Sequence, residues 1–357
     1  MKKINLVVGT GINESGGIAT VLNVFNDAGF FKKENVRLIQ THTNLKRFFG
    51  INKSALFLSS LIKIIYYSVF FNIGLVHVHM SSRGSFTRKS IVISLAKYLN
   101  NKVVLHLHGS EFQMFFENEC SESKKQKIRD TFSSCDRVVV LSKSWKNWVD
   151  SIVKDKSKVV TIYNSVPSLE LARDKVIPGT VLFLGRLGKR KGVYELIKAS
   201  VGLRKRFPHY KLILGGDGDV ELFKKYAEEL GVTECIQFVG WVAGSKKLEL
   251  IETSQIFTLP SFNEGFPMGI IEAMSAGLAI VASTAGGIPD AITNEEDGLL
   301  IEAGDAVALE DSIAKLLADE NLSQKLGNRA KCKFNSNFSL DVILPQFSDI
   351  YSDLGSD

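Results

Sequence analysis

The sequence is narrowed first by what it lacks. Its 357 residues hold only four cysteines, Cys120, Cys135, Cys235 and Cys332, scattered without a CxxC pair. That argues against a disulfide or zinc framework and suits a reducing cytoplasm. Short repeats and low-complexity tracts are absent. The glycine-rich loop "GTGINESGG" (9–17) is not GxGxxG, and the second apolar run ends "QTH" with no acid to hold a ribose, which counts against a dinucleotide site. At the N-terminus, "MKKINLVVGTG" offers only a five-residue, largely apolar run before glycine, too short for a signal-peptide core; it predicts a first strand. One stretch is apolar for longer: "ALFLSSLIKIIYYSVFF" (55–71) carries a single charge, Lys63. A spanning helix takes about twenty such residues. The alternatives are a largely buried helix, or a helix docked on a membrane surface with help from Lys46, Arg47 and Lys53.

Acidic residues are scarce in the first half. Residues 1–165 hold 24 Lys/Arg against 11 Asp/Glu, whereas residues 166–357 hold 20 against 27. The basic half is expected to face something anionic, such as a lipid surface or a phosphorylated acceptor. Nucleic acid is not an expected partner, because no recognised motif is present and the basic clusters lack interleaved aromatics.

What is present is a succession of short Val/Ile/Leu-rich runs separated by helix-length stretches. They fall at 4–9, 36–42, 74–80, 102–109, 137–142 and 158–164, then at 180–186, 210–216, 236–241, 256–261, 278–283 and 298–303. Such runs predict parallel strands buried on both faces. Two series imply two doubly wound, Rossmann-like α/β domains, over 1–165 and 179–337, joined by a linker at 166–178. A last segment, 338–357, predicts a helix interrupted near Pro345. In such sheets ligands bind beyond the carboxyl ends of the strands, so chemistry is sought just after each run.

Several strand ends qualify. "SFNEGFPMGIIEAM" (261–274) sets Glu264 and Glu272 eight residues apart, with Pro267 as an early helical residue between them. A helical path would separate the two by about 12 Å, too far for one metal ion and beyond the roughly 5–9.5 Å of paired glycosidase carboxylates. The spacing suits an extended ligand, with the free amides around Phe266, Met268 and Gly269 favouring a phosphate. The bland alternative makes Glu264 a helix cap and Glu272 a surface residue. "LFLGRLGKRKG" (182–192) presents Arg186, Lys189, Arg190 and Lys191 at a buried strand's end, which a diphosphate would compensate. "HVH" (77–79) and "HLHG" (106–109) place histidines on one face of neighbouring strands. Zinc is an alternative there, but no Asp at ligand spacing accompanies them. "GGDGD" (215–219) reads as a turn with N-capping aspartates rather than a metal-holding pair.

Taken in order, these pieces resemble the retaining, metal-independent glycosyltransferases of family 4 (glycosyl transferases group 1). The likeness runs from the glycine pair 16–17 through "HG" (108–109), Arg186 to Gly192, "GGDG" (215–218), "FVGWV" (238–242) and the Glu-x7-Glu segment to "GGIPDAI…DGLLIE" (286–302). It implies a GT-B fold, two Rossmann-like domains facing across a cleft with the C-terminal helix crossing back. The donor implied is a nucleotide-diphosphate sugar, a UDP-sugar by preference, with neither cofactor nor metal. Catalytic roles would fall to His108, Glu264, Arg186 and Lys191. Donor contacts would come from Gly16, Gly17, Gly185, Arg186, Lys191, Gly216, Val239, Trp241, Glu264, Gly265, Phe266, Pro267, Met268 and Glu272. Asp290 and "NSV" (164–166) depart from the usual pattern without touching these charges.

The type resembled builds bacterial surface polysaccharide, O-antigen or capsule, at the inner face of the plasma membrane. Its expected acceptor is an undecaprenyl-diphosphate-linked oligosaccharide, and its expected location cytoplasmic and peripheral on an anionic membrane surface. The alternatives are a nucleotide-sugar epimerase of the same fold and a non-catalytic nucleotide-sugar-binding partner.

Overall fold

The computed structural model describes residues 3–12, 14, 16–43 and 53–355. The chain divides into two compact units. Unit 1 comprises Met1–Ser165 with Leu340–Asp357, and unit 2 comprises Val166–Ser339.

Unit 1 is built on β1 (Ile4–Gly9), β2 (Val36–Gln40), β3 (Ile73–Met80), β4 (Val103–Leu107), β5 (Arg137–Val140) and β6 (Val159–Thr161). They form one parallel sheet in the order β2-β1-β3-β4-β5-β6. Helices cover both faces of β3 and β4, so these strands are buried along nearly their whole length. That double burial is why their sequences are continuous apolar runs rather than alternating ones. The helix Gly17–Asp27 turns Ala19, Val21, Leu22 and Phe25 into the core at helical spacing.

The C-terminal helix Leu340–Gly355 packs on this sheet through Ile343, Phe347, Ile350, Tyr351 and Leu354. Phe347 lies edge-on to Phe25 at 5.1 Å, and the Tyr351 hydroxyl is 2.8 Å from His77 Nδ1. The expected interruption at Pro345 does not occur, for the helix runs through it. Proline forfeits one backbone hydrogen bond there, and the five buried side chains on either side offset the loss.

The segment 55–71 forms the helix Lys53–Phe70, but it is not the largely buried helix that one reading expects. Only Ser60 and Ile64 are buried, whereas Leu58, Ile62, Tyr66, Val69 and Phe70 are at least half exposed. Apolarity all round a helix did not, in this case, signal burial all round it. Lys46 and Arg47, the expected basic neighbours, lie outside the described residues.

Unit 2 contains β7 (Thr180–Leu184), β8 (Lys211–Gly215), β9 (Ile236–Gly240), β10 (Ile256–Leu259), β11 (Ala279–Ser283) and β12 (Leu299–Ile301). The sheet is again parallel, in the order β12-β11-β10-β7-β8-β9. Residues 166–178, expected as a linker, are tied to this unit. The Leu169 amide donates to Ser275 Oγ, and Arg173 donates to the carbonyls of Ile251, Glu252 and Ser254. Strand order reverses between β1 and β3 in unit 1 and between β7 and β10 in unit 2. Crevices for ligands open at the carboxyl edge of such reversals.

Candidate functional site at the β7/β10 reversal

Unit 2 brings the ends of β7 and β10 together at its reversal point. After β7 the chain passes Gly185 and Arg186 into a short turn, Lys189–Lys191, and then Gly192. Gly192 adopts φ 71°, and a Cβ there would sit 2.1 Å from the Pro260 carbonyl oxygen. Only glycine lets the basic turn lie this close to the loop after β10. Arg190 clamps the contact by donating to the Asn263 carbonyl at 2.8 Å. Lys191 Nζ thereby meets Glu264 Oε1 at 2.5 Å, in a pair whose side chains are 15% and 7% exposed. Glu264 is therefore no helix cap. Nor is Lys191 an isolated cation awaiting an anion, since its charge is already shared with Glu264. Arg186 differs: it is exposed and pairs with no carboxylate among the described residues.

Pro267 stands one residue before the helix Met268–Ala276, at φ −76° and ψ 125°, rather than inside its first turn. Its carbonyl accepts from the Ile270 amide at 3.1 Å. No side chain caps this helix, and the amides of Met268 and Gly269 precede the first intrahelical donors. The expected 12 Å between Glu264 and Glu272 assumed helix throughout, yet residues 264–267 are not helical. Gly265 and Pro267 are buried, and Phe266 turns its ring into the core, 5.2 Å from Phe338. Glu272 Oε1 meets Lys247 Nζ at 2.6 Å. Nothing in the sequence marks Lys247, a lysine among others on the helix Gly244–Thr253; only folding reveals it as the partner of Glu272.

Gly216 touches the backbone of Gly185, where a Cβ would come within 1.8 Å of the carbonyl oxygen. On β9 Val239 is half-buried, and Trp241 just beyond it is 62% exposed. Gly286, of the "GGIP" turn, lies against the Glu264 backbone at φ 58°. Neither Asp217 nor Asp219 caps the helix Val220–Glu229 through its side chain, contrary to the turn-and-cap reading. A cavity of about 580 Å³ opens at the other edge of this sheet, lined by Arg173, Gly179, Tyr210 and Gln255. None of the sequence-predicted residues borders it.

In unit 1 the four strand histidines come together. His79 sits opposite His106 in the β3–β4 ladder. His108, just past β4 and half-buried, places Nε2 2.8 Å from His79 Nδ1. The rings stack at centroid distances of 4.5 Å for His77–His79 and 4.9 Å for His79–His108, and His106 lies tilted against His108 at 4.0 Å. Burial pushes His77 and His108 down to about 3 and holds His79 and His106 well below the ordinary histidine value, so the cluster is neutral near pH 7. Ring nitrogens of His77, His79 and His106 lie within 4.8 Å of one another, the only such group of three among the described residues. Three imidazoles fit a borderline-soft dication in donor type, but no described carboxylate joins them. Gly16 ends the loop before the helix Gly17–Asp27 at φ 121°, and both glycines are exposed. The histidines and the glycine pair were legible as strand-end signals; their stacking was not, because sequence spacing does not set cross-strand register.

Comparison with known proteins agrees with this architecture. Residues 173–333 match the family model "Glycosyl transferases group 1". An uncharacterized glycosyltransferase of Methanocaldococcus jannaschii is 29% identical over 62% of this chain and 60% of its own length. The N-acetyl-alpha-D-glucosaminyl L-malate synthase of Bacillus anthracis is 26% identical over 79% of this chain and 75% of its own. Among solved structures, Anabaena HepE in complex with UDP and glucose superposes with a TM-score of 0.78 at 16% identity, covering 98% of this chain and 100% of that one. The lipopolysaccharide outer core galactosyltransferase WaaB gives 0.70 at 18% identity, covering 98% and 99%. These likenesses show the fold, the two-domain α/β architecture of GT-B proteins. The match to the family Glycosyl transferases group 1 takes in residues 173–333, all but the margins of unit 2.

Proposed function

We propose that the protein is a retaining, metal-independent glycosyltransferase that moves a hexosyl or N-acetylhexosaminyl group from a nucleotide-diphosphate sugar, preferably a UDP-sugar. The observation that carries the reading is exposed Arg186 beside the buried Lys191–Glu264 pair, at the carboxyl edge of β7 where the sheet reverses. As the bond between the sugar carbon and the phosphate oxygen breaks, its electrons pass to the leaving nucleotide, while an acceptor hydroxyl oxygen bonds that carbon and its proton passes to the departing phosphate. Arg186 meets that charge directly, and Lys191 shares its ammonium between Glu264 and the diphosphate. Glu264 and the amides of Gly265–Met268 hold the sugar and phosphate, and Gly185 and Gly216 let backbone approach closely. Glu272, oriented by Lys247, binds the ribose hydroxyls, and Val239 and Trp241 flank the base. Within unit 1, His108, neutral at pH 7, and the amides of Gly16–Gly17 offer hydrogen bonds to a substrate. HepE, solved in complex with UDP and glucose, supports the choice of nucleotide.

A thermal-shift series with UDP-, GDP- and ADP-sugars tests the donor, since binding to the folded state raises stability. Stabilisation by none of them sinks the reading. Strict dependence of turnover on Mn or Mg would revive Asp217 and Asp219 instead.

The proposed acceptor is a lipid-linked glycan of O-antigen or capsule synthesis, an undecaprenyl-diphosphate-linked oligosaccharide met at the cytoplasmic face of the plasma membrane. Its support is the basic first half of the sequence and the exposed apolar helix Lys53–Phe70, which presents Leu58, Ile62, Tyr66, Val69 and Phe70 to solvent. Co-sedimentation with phosphatidylglycerol vesicles is expected. A chain that stays in the supernatant at low salt contradicts the membrane part alone.

A further inference from the structure

Unit 1 gathers cations at the carboxyl edge of its sheet, beside the β1/β3 reversal, with little to balance them. Lys89, on the helix Gly84–Tyr98, is 3% exposed. Its Nζ bonds Thr41 Oγ1 at 2.5 Å and reaches the Gly9 carbonyl at 3.5 Å, both neutral partners. Arg88, one residue earlier and half-buried, has its Nε sealed from solvent without a hydrogen bond. His42 Nδ1, just past β2, and Thr10 Oγ1, just past β1, are orphaned in the same way. The Thr41 amide and hydroxyl both bond the Gly9 carbonyl, at 3.1 and 3.2 Å, and so bring the two loops together over Lys89.

These groups feel one another. Burial first, then the charges of Arg88, Lys53 and Lys89, lower the His42 pKa, and Glu14 is the one carboxylate acting against them there. Glu14 is itself engaged by Gln40 Nε2 and the Thr43 hydroxyl. Burial, with Arg88 adding to it, pushes Lys89 down to about 7. A buried ammonium facing only a hydroxyl and a carbonyl is costly, and orphaned donors in native structures call for an explanation. An anion seated over the loop would resolve both.

We propose that the edge formed by Thr10, His42 and Arg88, with the charge of Lys89 beneath it, binds a phosphoryl group, and that this group belongs to the acceptor. A tetrahedral dianion suits these donor types, a guanidinium with a hydroxyl and an imidazole. The donor's own diphosphate is already provided for by Arg186 and Lys191 in unit 2. Assigning the phosphoryl group to an acceptor rests on the glycosyl-transfer reading above; the anion site itself does not.

The test uses the full-length chain with 13C-labelled histidine, the His42 signal being assigned by its loss in His42→Gln. Titration with inorganic pyrophosphate is expected to move that signal saturably. Arg88→Gln should weaken the binding at least ~10-fold, whereas Arg88→Lys should keep part of it; Lys89→Met adds a further variant if it folds. An unmoved His42 signal overturns the site, whatever the enzyme's activity. A response to phosphatidylglycerol vesicles but not pyrophosphate would make the ligand a lipid headgroup, and a response to UDP alone would make it the donor; either overturns the acceptor assignment. In turnover, Arg88→Gln should raise KM for a phosphorylated acceptor at least ~10-fold and leave KM for the donor unchanged. No transfer at all, with His42 still responding to pyrophosphate, would sink the transfer reading and leave the anion site standing.

Discussion

Substituting Lys191 by methionine should damage unit 2 and the chemistry together. The substitution keeps the stem and removes the ammonium that lies 2.5 Å from Glu264 Oε1. Glu264, its side chain 7% exposed, would be left as a carboxylate without its counter-charge. Removing one partner of a buried pair costs about 3–5 kcal/mol. Because Lys191 itself is 15% exposed, water relieves part of the burden, and we expect the lower end, ~3 kcal/mol. For a unit of this size each kcal/mol moves the melting temperature by about 2–4 °C, so the shift should be ~6–12 °C. Glu264→Gln leaves an ammonium that can lean toward water and should cost only ~1–2 kcal/mol. The double variant removes both charges and should cost no more than Lys191→Met alone, giving a coupling of ~1–2 kcal/mol. Calorimetry on the four proteins, resolving the transition of unit 2, provides the measurement. Costs below ~0.5 kcal/mol that simply add would refute the view that this pair is held in a dry, preorganised site. In turnover assays all three variants should be severely impaired at temperatures where they remain folded.

Other expectations follow from single features. Gly192→Ala must place a Cβ 2.1 Å from the Pro260 carbonyl oxygen at φ 71°, so thermal unfolding should show a loss of at least ~2 kcal/mol. Acid should weaken unit 1 through its histidines. Their folded pKa values lie below the ordinary one, so below pH 6.5 the unfolded chain binds protons that the folded cluster refuses, and stability present above pH 6.5 is lost as pH falls toward about 3. Unfolding free energies from urea titrations at pH 6.5 and 5 should differ by ~3 kcal/mol for His77 and His108 together, and His77→Gln should flatten the slope. Ile62→Glu with Val69→Glu should abolish vesicle binding while changing stability by less than ~0.5 kcal/mol, because both positions are about 60% exposed; unchanged binding would clear this helix of a membrane role.

All twelve strands of the described residues were legible: a strand buried on both faces, as β4 and β11 are, has little freedom in composition, and Val/Ile/Leu runs between helix-length segments leave few other folds. The placement of Arg186, Lys191 and Glu264 in the loops after β7 and β10 was legible for a related reason, because those loops follow directly on apolar runs. Pairings were not. Lys191 with Glu264 and Glu272 with Lys247 join residues 73 and 25 apart, and only loop geometry, fixed by Gly192 and the turn after β10, decides which carboxylate a lysine reaches. The helix Lys53–Phe70 misled by composition, since apolarity reports what a surface would bury but not what it meets. Pro345 misled by local rule, because packing on either side outweighs one lost hydrogen bond.

The chain leaves unit 1 at Ser165, completes unit 2, and comes back at Leu340. Val166 and Ser339 pair side by side at the two crossings. In topology, then, unit 2 is an insertion within unit 1, and this sets an order of birth. A ribosome adding about 5–20 residues per second exposes the first 165 residues well before the segment that carries Phe347 and Tyr351. During that interval the rings of Phe25 and Phe30 and the imidazole of His77 wait without their cover, while unit 2 already has its whole sequence. Unit 2 can mature first, and by holding Val166 and Ser339 together it delivers the final helix to the place that was left open for it. Nonsense or frameshift truncation after residue 339 should therefore yield an intact unit 2 tethered to an unfinished, aggregation-prone partner.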